Sequence, residues 1–333
     1  MRTISLFFLF YLLCVNQLNA AQVDEDFNIW LGNFKSKALK LGIAKGTLEK
    51  VFFDTKYLPK VIEYDRYQPE FYEDTRTYVS KRTSNKKVKK GLEIYKLNKK
   101  LIDEIDIKFD VEKELLLALM GIETNYGTYL GKMDIISSLA TLSFDKRRSE
   151  FFTNELITIL RLIDNDVIDY KILYGSWAGA FGNFQFMPTT IKNYAIDYDG
   201  NNLIELKSAN DSFASAANYI NKIGWKKNEP CFMKINLNKD IPNKFLNTSA
   251  KKLKNKRKLS YFKKYIENYD NLNLNKNLKV AIITPDKEIV ENADKLNPAY
   301  IVFDNYELVL KWNRSLRFAL AVCTLKDNFS NAL

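Results

Sequence analysis

The chain has 333 residues, with 51 Lys and Arg against 40 Asp and Glu for a formal charge of +11, and it contains no histidine. That absence excludes Ser-His-Asp and Cys-His catalysis, histidine-ligated zinc and histidine acid–base chemistry, so any bond-breaking must rest on carboxylates, Tyr, Lys or Ser. Lys and Asn occur throughout with acidic residues interspersed, so compositional bias accounts for much of the positive excess; a polyanionic partner is left the remainder, and nucleic acid is not expected.

Residues 1–20 read as a signal peptide. Arg2 gives a positive start, Ile4–Val15 is an apolar run, and Leu18-Asn19-Ala20 precedes a cut before Ala21. The run is short for a bilayer span, so cleavage and a periplasmic product are expected rather than a stable membrane span. Lipid attachment at Cys14 is disfavoured by the bulky Leu13 before it. The mature chain keeps Cys231 and Cys323, which in an oxidising compartment either pair or remain buried thiols.

Residues 21–110 form a helical N-terminal part. Phe27, Trp30, Leu31 and Phe34 share one face, and Leu39, Ile43, Leu48, Val51 and Phe52 continue it in short amphipathic segments. Pro59 and Pro69 punctuate the connection that follows, where Asp65, Arg66 and Gln68 suit a polar network fastening two elements. Lys81–Lys100 carries lysines among Val88, Leu92, Ile94 and Leu97, the pattern of a solvated helix face.

The segment Leu115–Gly127, LLLALMGIETNYG, is apolar at nearly every position to Ile122, as a helix buried on all sides would be. Asp110 is positioned to cap its start, with Glu112 and Glu114 in the first turn, where the helix dipole favours negative charge. Glu123 stacks above Leu119 and Met120, so its carboxyl leaves an apolar face. A carboxyl held against apolar surface keeps its proton to higher pH, which is the state a general acid needs. The alternative is a core glutamate bonded to the neighbouring turn.

Gly127 and Gly131 then mark tight backbone, Ile135–Leu142 resumes helical periodicity, and Ser143-Phe144-Asp145 offers the start of a helix burying Phe151, Phe152, Leu156 and Ile159. Gly175–Thr190, GSWAGAFGNFQFMPTT, has the small residues that permit close backbone approach. It sets Gln185 between two phenylalanines and opens a helix at Pro188. Small residues and aromatics also build ordinary helix crossings. Asp197, Asp199, Gly200 and Asn201 resemble part of an oxygen-ligand cation loop, but the spacing favours a solvated turn and no metal is expected. Phe213–Ile223 is a periodic helix ended by Gly224, with Asn218 and Tyr219 on one side. Beyond Trp225 the texture changes: Cys231–Leu237 alternates like a strand, Lys251–Lys264 is a basic surface segment, and Val280–Ile283 and Tyr300–Phe303 are short strand candidates. Tyr306–Leu310 and Ser315–Leu325 read as helix around Trp312-Asn313-Arg314-Ser315.

Taken in order, IETNYG, LATLSFDKRRSEFF, GSWAGAFGNFQFMPTT and SAANYI resemble the B-type lytic murein transglycosylases, glycoside hydrolase family 103. VIEYDRYQPEF before them and PAYIVFDNYELVLKWNRS after them extend the likeness over nearly the whole mature chain. The resemblance implies a predominantly α, α+β fold. A lysozyme-like core with a glycan cleft, residues 111–225, would lie between the N-terminal helical part, 21–110, and a mixed C-terminal part, 226–333. It also implies cleavage of the MurNAc–GlcNAc bond of peptidoglycan without water, leaving 1,6-anhydro-MurNAc ends, with no cofactor and with peptidoglycan glycan strands as partner. Carried over by position, Glu123 matches the catalytic acid/base. Ser176, Gln185, Tyr219 and Asn313 match substrate-contacting residues of the cleft. Phe181 stands where the family often has methionine. The family's aspartate-rich loop looks contracted to Asp197–Asn201, with Asp211 the remaining candidate ligand. No second carboxylate looks as buried as Glu123, as a two-carboxylate glycosidase would need. A hydrolytic muramidase of the same fold and a non-catalytic wall-binding protein are the competing readings.

Overall fold

The computed structural model describes residues 22–67 and 73–333. The signal segment with its cut before Ala21 lies outside the described residues, as do Gln68 and Pro69.

Residues 22–40 form α1, whose apolar face buries Phe27, Leu31, Phe34 and Ala38; Leu39, assigned to that face from sequence, is exposed. Five helices follow: α2 (Lys45–Val51), α3 (Pro59–Arg66), α4 (Thr75–Arg82), α5 (Asn85–Leu97) and α6 (Lys99–Phe109). The expected network at the end of α3 is present. The buried Asp65 accepts from Arg147 Nε at 2.7 Å and from Arg148, and Arg66 pairs with Asp145 at 2.9 Å. These bonds join α3 to the turn between α8 (Ile135–Phe144) and α9 (Ser149–Asp164). A buried carboxylate needs such partners, because an unpaired one would be strongly penalised. The turn also corrects two sequence readings. Ser143 and Phe144 end α8 rather than start α9, and Phe151 is 48% exposed while Phe152, Leu156 and Ile159 are buried.

The centre of the molecule is α7 (Lys113–Thr124), with Leu115–Gly121 buried without a break. It packs most extensively on α13 (Leu316–Ser330), and also on α5, α6 and α11 (Ala209–Lys222), which is why no face of it is polar. At about 1.5–3 kcal/mol per buried leucine, this segment is a principal source of the fold's stability. Its start differs from expectation. Asp110 closes α6 in the left-handed conformation (φ 52°), and Glu112 occupies the N-cap position of α7 without a side-chain cap. Aspartate tolerates left-handed backbone as readily as it caps, and sequence does not separate the two roles.

Residues beyond Trp225 build a five-stranded sheet from β3 (Phe232–Ile235), β4 (Leu246–Asn247), β5 (Arg257–Lys258), β6 (Lys279–Ile283) and β7 (Ala299–Val302). The order is β3-β7-β6-β4 with β5 also on β6; β4 pairs parallel with β6, and the other pairings are antiparallel. Strand alternation makes this sheet a wall between two cores. Ala281, Ile283 and Val302 face the main helical core, whereas Val280, Ile282 and Ile301 face a second core with Phe245, Phe262 and Tyr269. Cys231 and Cys323 are joined in a disulfide with Cα atoms 6.1 Å apart, which ties the entry of β3 to α13. Among the described residues no helix is long and apolar enough to cross a membrane.

Candidate active site

At the end of α7, Asn125 (φ 49°), Tyr126 (φ 60°) and Gly127 (φ 75°) are successive left-handed residues that turn the chain back on itself. Two non-glycine residues in that region are costly and persist only where surroundings enforce them. Here the enforcement is visible. Asn125 N–H donates to Gly121 O and Tyr126 N–H to Met120 O, while Thr124 Oγ1 donates to Asn183 O at 2.8 Å and accepts from Gly127 N–H. The Tyr126 ring lies against Gly121 and Gly91. A Cβ on Gly121 would stand 2.6 Å from the tyrosine oxygen, so glycine is required there. Burial raises the pKa of Tyr126, which stays protonated.

Lysines from α5 close the same end. Lys87 Nζ donates at 2.7 Å to Gly121 O, which also accepts from Asn125 N–H, and Lys90 Nζ donates to Asn125 O at 2.9 Å, a carbonyl at the helix C-terminus. The α5 lysines are therefore not only a solvated face, and burial lowers the pKa of Lys87.

Glu123 is half-buried on the last turn of α7. Trp312, the last residue of α12 (Asp304–Trp312), donates its indole Nε1–H to Glu123 Oε1 at 2.9 Å. The indole in turn stacks on Tyr219 (4.9 Å between centroids, 21° between planes), and Tyr219 stacks on Tyr194 (4.3 Å, 22°). Phe184 and Phe186 meet Trp312 edge-on. Tyr219 donates its hydroxyl to Lys311 O at 3.2 Å, and burial first, then Tyr194, pushes its pKa up to about 12. Thus α7, α11 and α12 fix one carboxyl group through an indole that can only donate, leaving no ambiguity about the polarity of that bond. Asn313 follows Trp312 directly and is half-buried.

Gln185 and Ser176 lie on the loop before α10 (Pro188–Tyr194). Gln185, left-handed at φ 50°, donates from Nε2 to Gly182 O at 2.9 Å and to Leu130 O at 3.3 Å. Its amide thereby braces the loop against the segment leaving α7. The strands β1 (Met133–Asp134) and β2 (Tyr174–Gly175) pair the same two stretches, and the backbone passes so closely that a Cβ on Gly131 would overlap Gly175 O. Ser176 Oγ accepts from Ala180 N–H at 2.9 Å within this loop. Glu123, Trp312 and Tyr219 form one contact group, flanked by Phe184 and Phe186 on either side of Gln185, while Ser176 is bonded within its own loop.

Several carboxylates are more buried than Glu123, contrary to the sequence reading. Glu155 (1% exposed) accepts from Thr189 N–H at 2.8 Å and Thr189 Oγ1 at 2.7 Å, and burial raises its pKa against those bonds. Glu112 (5% exposed) accepts from Trp225 Nε1 at 2.5 Å and Asn228 N–H at 2.8 Å. Both are fastened to neighbouring elements, which is what lets them be buried. In the acidic loop, Asp197, Asp199 and Asp211 bring carboxylate oxygens within 4.8 Å of one another. The loop is not reduced to its first five residues, because Asp211 on α11 closes it by accepting from Tyr198 and Glu205 N–H. An all-oxygen set of three carboxylates fits a hard divalent cation.

Pattern reading singled out Asn313 but not Trp312 beside it, whose indole contact with Glu123 spans 189 residues. A family model described as the transglycosylase SLT domain matches residues 26–327. Escherichia coli (strain K12) membrane-bound lytic murein transglycosylase B is 41% identical over 122 residues, 36% of this chain and 34% of that protein, so the match spans about a third of that curated relative's length. Pseudomonas aeruginosa SltB3 in complex with NAG-anhNAM-pentapeptide superposes with a TM-score of 0.79 at 29% identity, covering 91% of this chain and 79% of that one. Escherichia coli Slt35 in complex with calcium gives a TM-score of 0.75 at 25% identity, covering 91% and 93%.

Proposed function

The chain belongs to the transglycosylase SLT-domain family, and from that premise we propose that it is a lytic murein transglycosylase, exported to the periplasm by a cleaved signal peptide. It would cleave the MurNAc–GlcNAc bond of peptidoglycan glycan strands and leave 1,6-anhydro-MurNAc ends. One observation carries this reading: a single half-buried carboxyl, Glu123, is held by an indole N–H at the end of a buried helix. The five buried carboxylates among the described residues, Asp65, Glu112, Glu155, Asp211 and Asp286, are each bound elsewhere. None is a ready second carboxylate, so a two-carboxylate hydrolysis is disfavoured.

In the mechanism that follows, protonated Glu123 gives its proton to the bridging oxygen as the C1–O bond breaks. The substrate's own N-acetyl oxygen attacks C1 from the opposite side. Glu123, now ionised, removes the proton from the MurNAc 6-hydroxyl, whose oxygen displaces the N-acetyl oxygen at C1 and closes the anhydro ring. The carboxyl ends the cycle protonated, and no water is consumed. Trp312 keeps Oε1 fixed through both transfers and stabilises the charged form between them. Proton transfer of this kind contributes about 10²–10⁴-fold, and positioning by Gln185, Tyr219 and Asn313 supplies part of the rest. Asp197, Asp199 and Asp211 would hold a cation such as calcium, whose contribution there would be to pin the loop between α10 and α11.

Mass spectrometry of muropeptides released from purified sacculi tests the reaction. Anhydro-MurNAc ends with almost no reducing MurNAc are expected; reducing ends would make the enzyme a muramidase. Chelation with EDTA should leave cleavage intact, and a loss restored only by calcium would show that the loop governs the cleft.

A further inference from the structure

The positive charge is not spread as compositional bias would spread it. Residues 234–279 hold thirteen Lys and Arg against three Asp and Glu, a net +10 of the chain's +11, which leaves thirty-eight against thirty-seven elsewhere. The excess is thus concentrated in one segment, which a bias spread evenly over the sequence does not by itself produce.

These residues fold over the second core, on the far side of the β6 wall from the main one. Their apolar members, among them Leu259, Phe262, Tyr265 and Tyr269, are buried, so the lysines are displaced outward. Twelve of the thirteen cations are exposed; the half-buried Lys256 pairs with Asp304 and Glu307 of α12. That pairing joins the cationic segment to the helix that ends in Trp312, the residue that donates to Glu123. Like charges this dense repel one another, and although Lys244, Lys263 and Lys264 lie over the rings of Phe245, Tyr269 and Tyr265, a net field of one sign is what attracts a polymer of the other.

We propose that the cationic face of residues 234–279 is a second attachment surface for the substrate polymer, docking on the carboxylates of peptidoglycan peptide stems while Glu123 acts on the glycan. This rests on the glycan-cleaving reading above. That reading also selects the occupant, because a glycan carrying an anionic peptide at regular intervals offers many weak contacts along one strand. The bonds formed are exposed ion pairs, individually weak and sensitive to salt.

The test uses the full mature chain carrying Glu123→Gln, so that sacculi survive the binding assay, with Lys251, Lys252, Lys254, Lys258, Lys263 and Lys264 changed together to Gln. Co-sedimentation with purified sacculi should weaken about tenfold or more at low salt, and the dependence on salt should flatten. The same six positions changed to Arg should bind as the parent does. Sacculi whose carboxyl groups have been amidated should bind parent and Gln variant alike. Equal binding of the Gln variant and parent to native sacculi would overturn the proposal. So would a parent that prefers phosphatidylglycerol vesicles to sacculi and loses only that preference in the variant, which would make the surface a membrane patch. In the wild-type Glu123 background, cleavage of peptide-free glycan should be unchanged by the six Gln substitutions. If the wild type leaves such glycan intact, the catalytic reading fails separately from the docking result.

Discussion

The helical bundle around α7 and the sheet-bearing part beyond Trp225 share the wall formed by β6 and β7, yet they place their polar chemistry in opposite directions. In the bundle, charges balance and the decisive groups point inward. Asp65, Glu112 and Glu155 are buried and bonded, and Glu123 emerges half-buried beside Trp312. In the sheet part the interior is apolar and aromatic, and almost every charged group points outward. The difference teaches that a site able to change bonds needs desolvated, individually fixed groups, whereas a surface that gathers a polymer needs number and sign.

The sharpest test of this contrast is Glu123→Gln. It preserves size and removes the transferable proton, so turnover on sacculi should fall by about 10²–10⁴-fold or more with the melting temperature nearly unchanged. A folded variant that still cleaves near the wild-type rate would refute the inward half of the comparison.

Next is the bond between the two parts. Replacing Cys231 and Cys323 together with Ala opens a loop with 92 residues of sequence separation. In the chain-entropy model this should cost about 4.6 kcal/mol in urea unfolding. An unchanged midpoint would mean that the sheet part is held by packing alone.

Trp312→Phe keeps an aromatic ring against Tyr219 but removes the donor to Glu123. A hydrogen bond to a charged group contributes about 1.5–3 kcal/mol, so kcat should fall by about ten- to hundredfold while KM is little changed. A change in KM alone would assign the indole to substrate binding instead.

The smallest effect concerns Asp103, which anchors the first residue of α7 by accepting from Lys113 Nζ at 3.0 Å. Its pKa lies at about 2, held down chiefly by the hydrogen bond from Lys99, with Lys113 and Tyr95 adding and partial burial opposing. A lowered folded-state value stabilises above the unfolded value near 4 and is lost as pH falls towards 2. Because the group is partly exposed, Asp103→Asn should cost no more than about 1 kcal/mol at neutral pH, and the cost should vanish as pH falls below the folded-state value. Acid titration of stability that is identical in variant and wild type would remove Asp103 from this account.

Much of this architecture was legible in the sequence. An unbroken apolar run predicted a helix buried on every side, and α7 is one. Short alternating segments at Cys231–Leu237 and Val280–Ile283 predicted strands, and β3 and β6 occupy them. Local signals failed where two roles share one residue type, as at Asp110, which closes a helix instead of opening one. They also failed where contact is made across the chain. No periodicity could show that Trp312 would reach Glu123 or that Glu155 would be buried by capping Thr189. The pairing of the two cysteines was equally undetermined, because two thiols far apart in sequence carry no geometry.

The long reach between Trp312 and Glu123 also bears on time. α7 depends for its principal packing partner on α13, and for its indole donor on α12, elements that follow it by nearly two hundred residues. Contacts of such large sequence separation pay their loop-closure entropy before they are rewarded, so they form late. A chain emerging N-terminus first would expose the segment bearing Glu123 well before the residues that orient it arrive. The wall-cutting centre would thus come into being only with the closing steps of folding, and a nascent or prematurely ended chain would carry its acid without its aim.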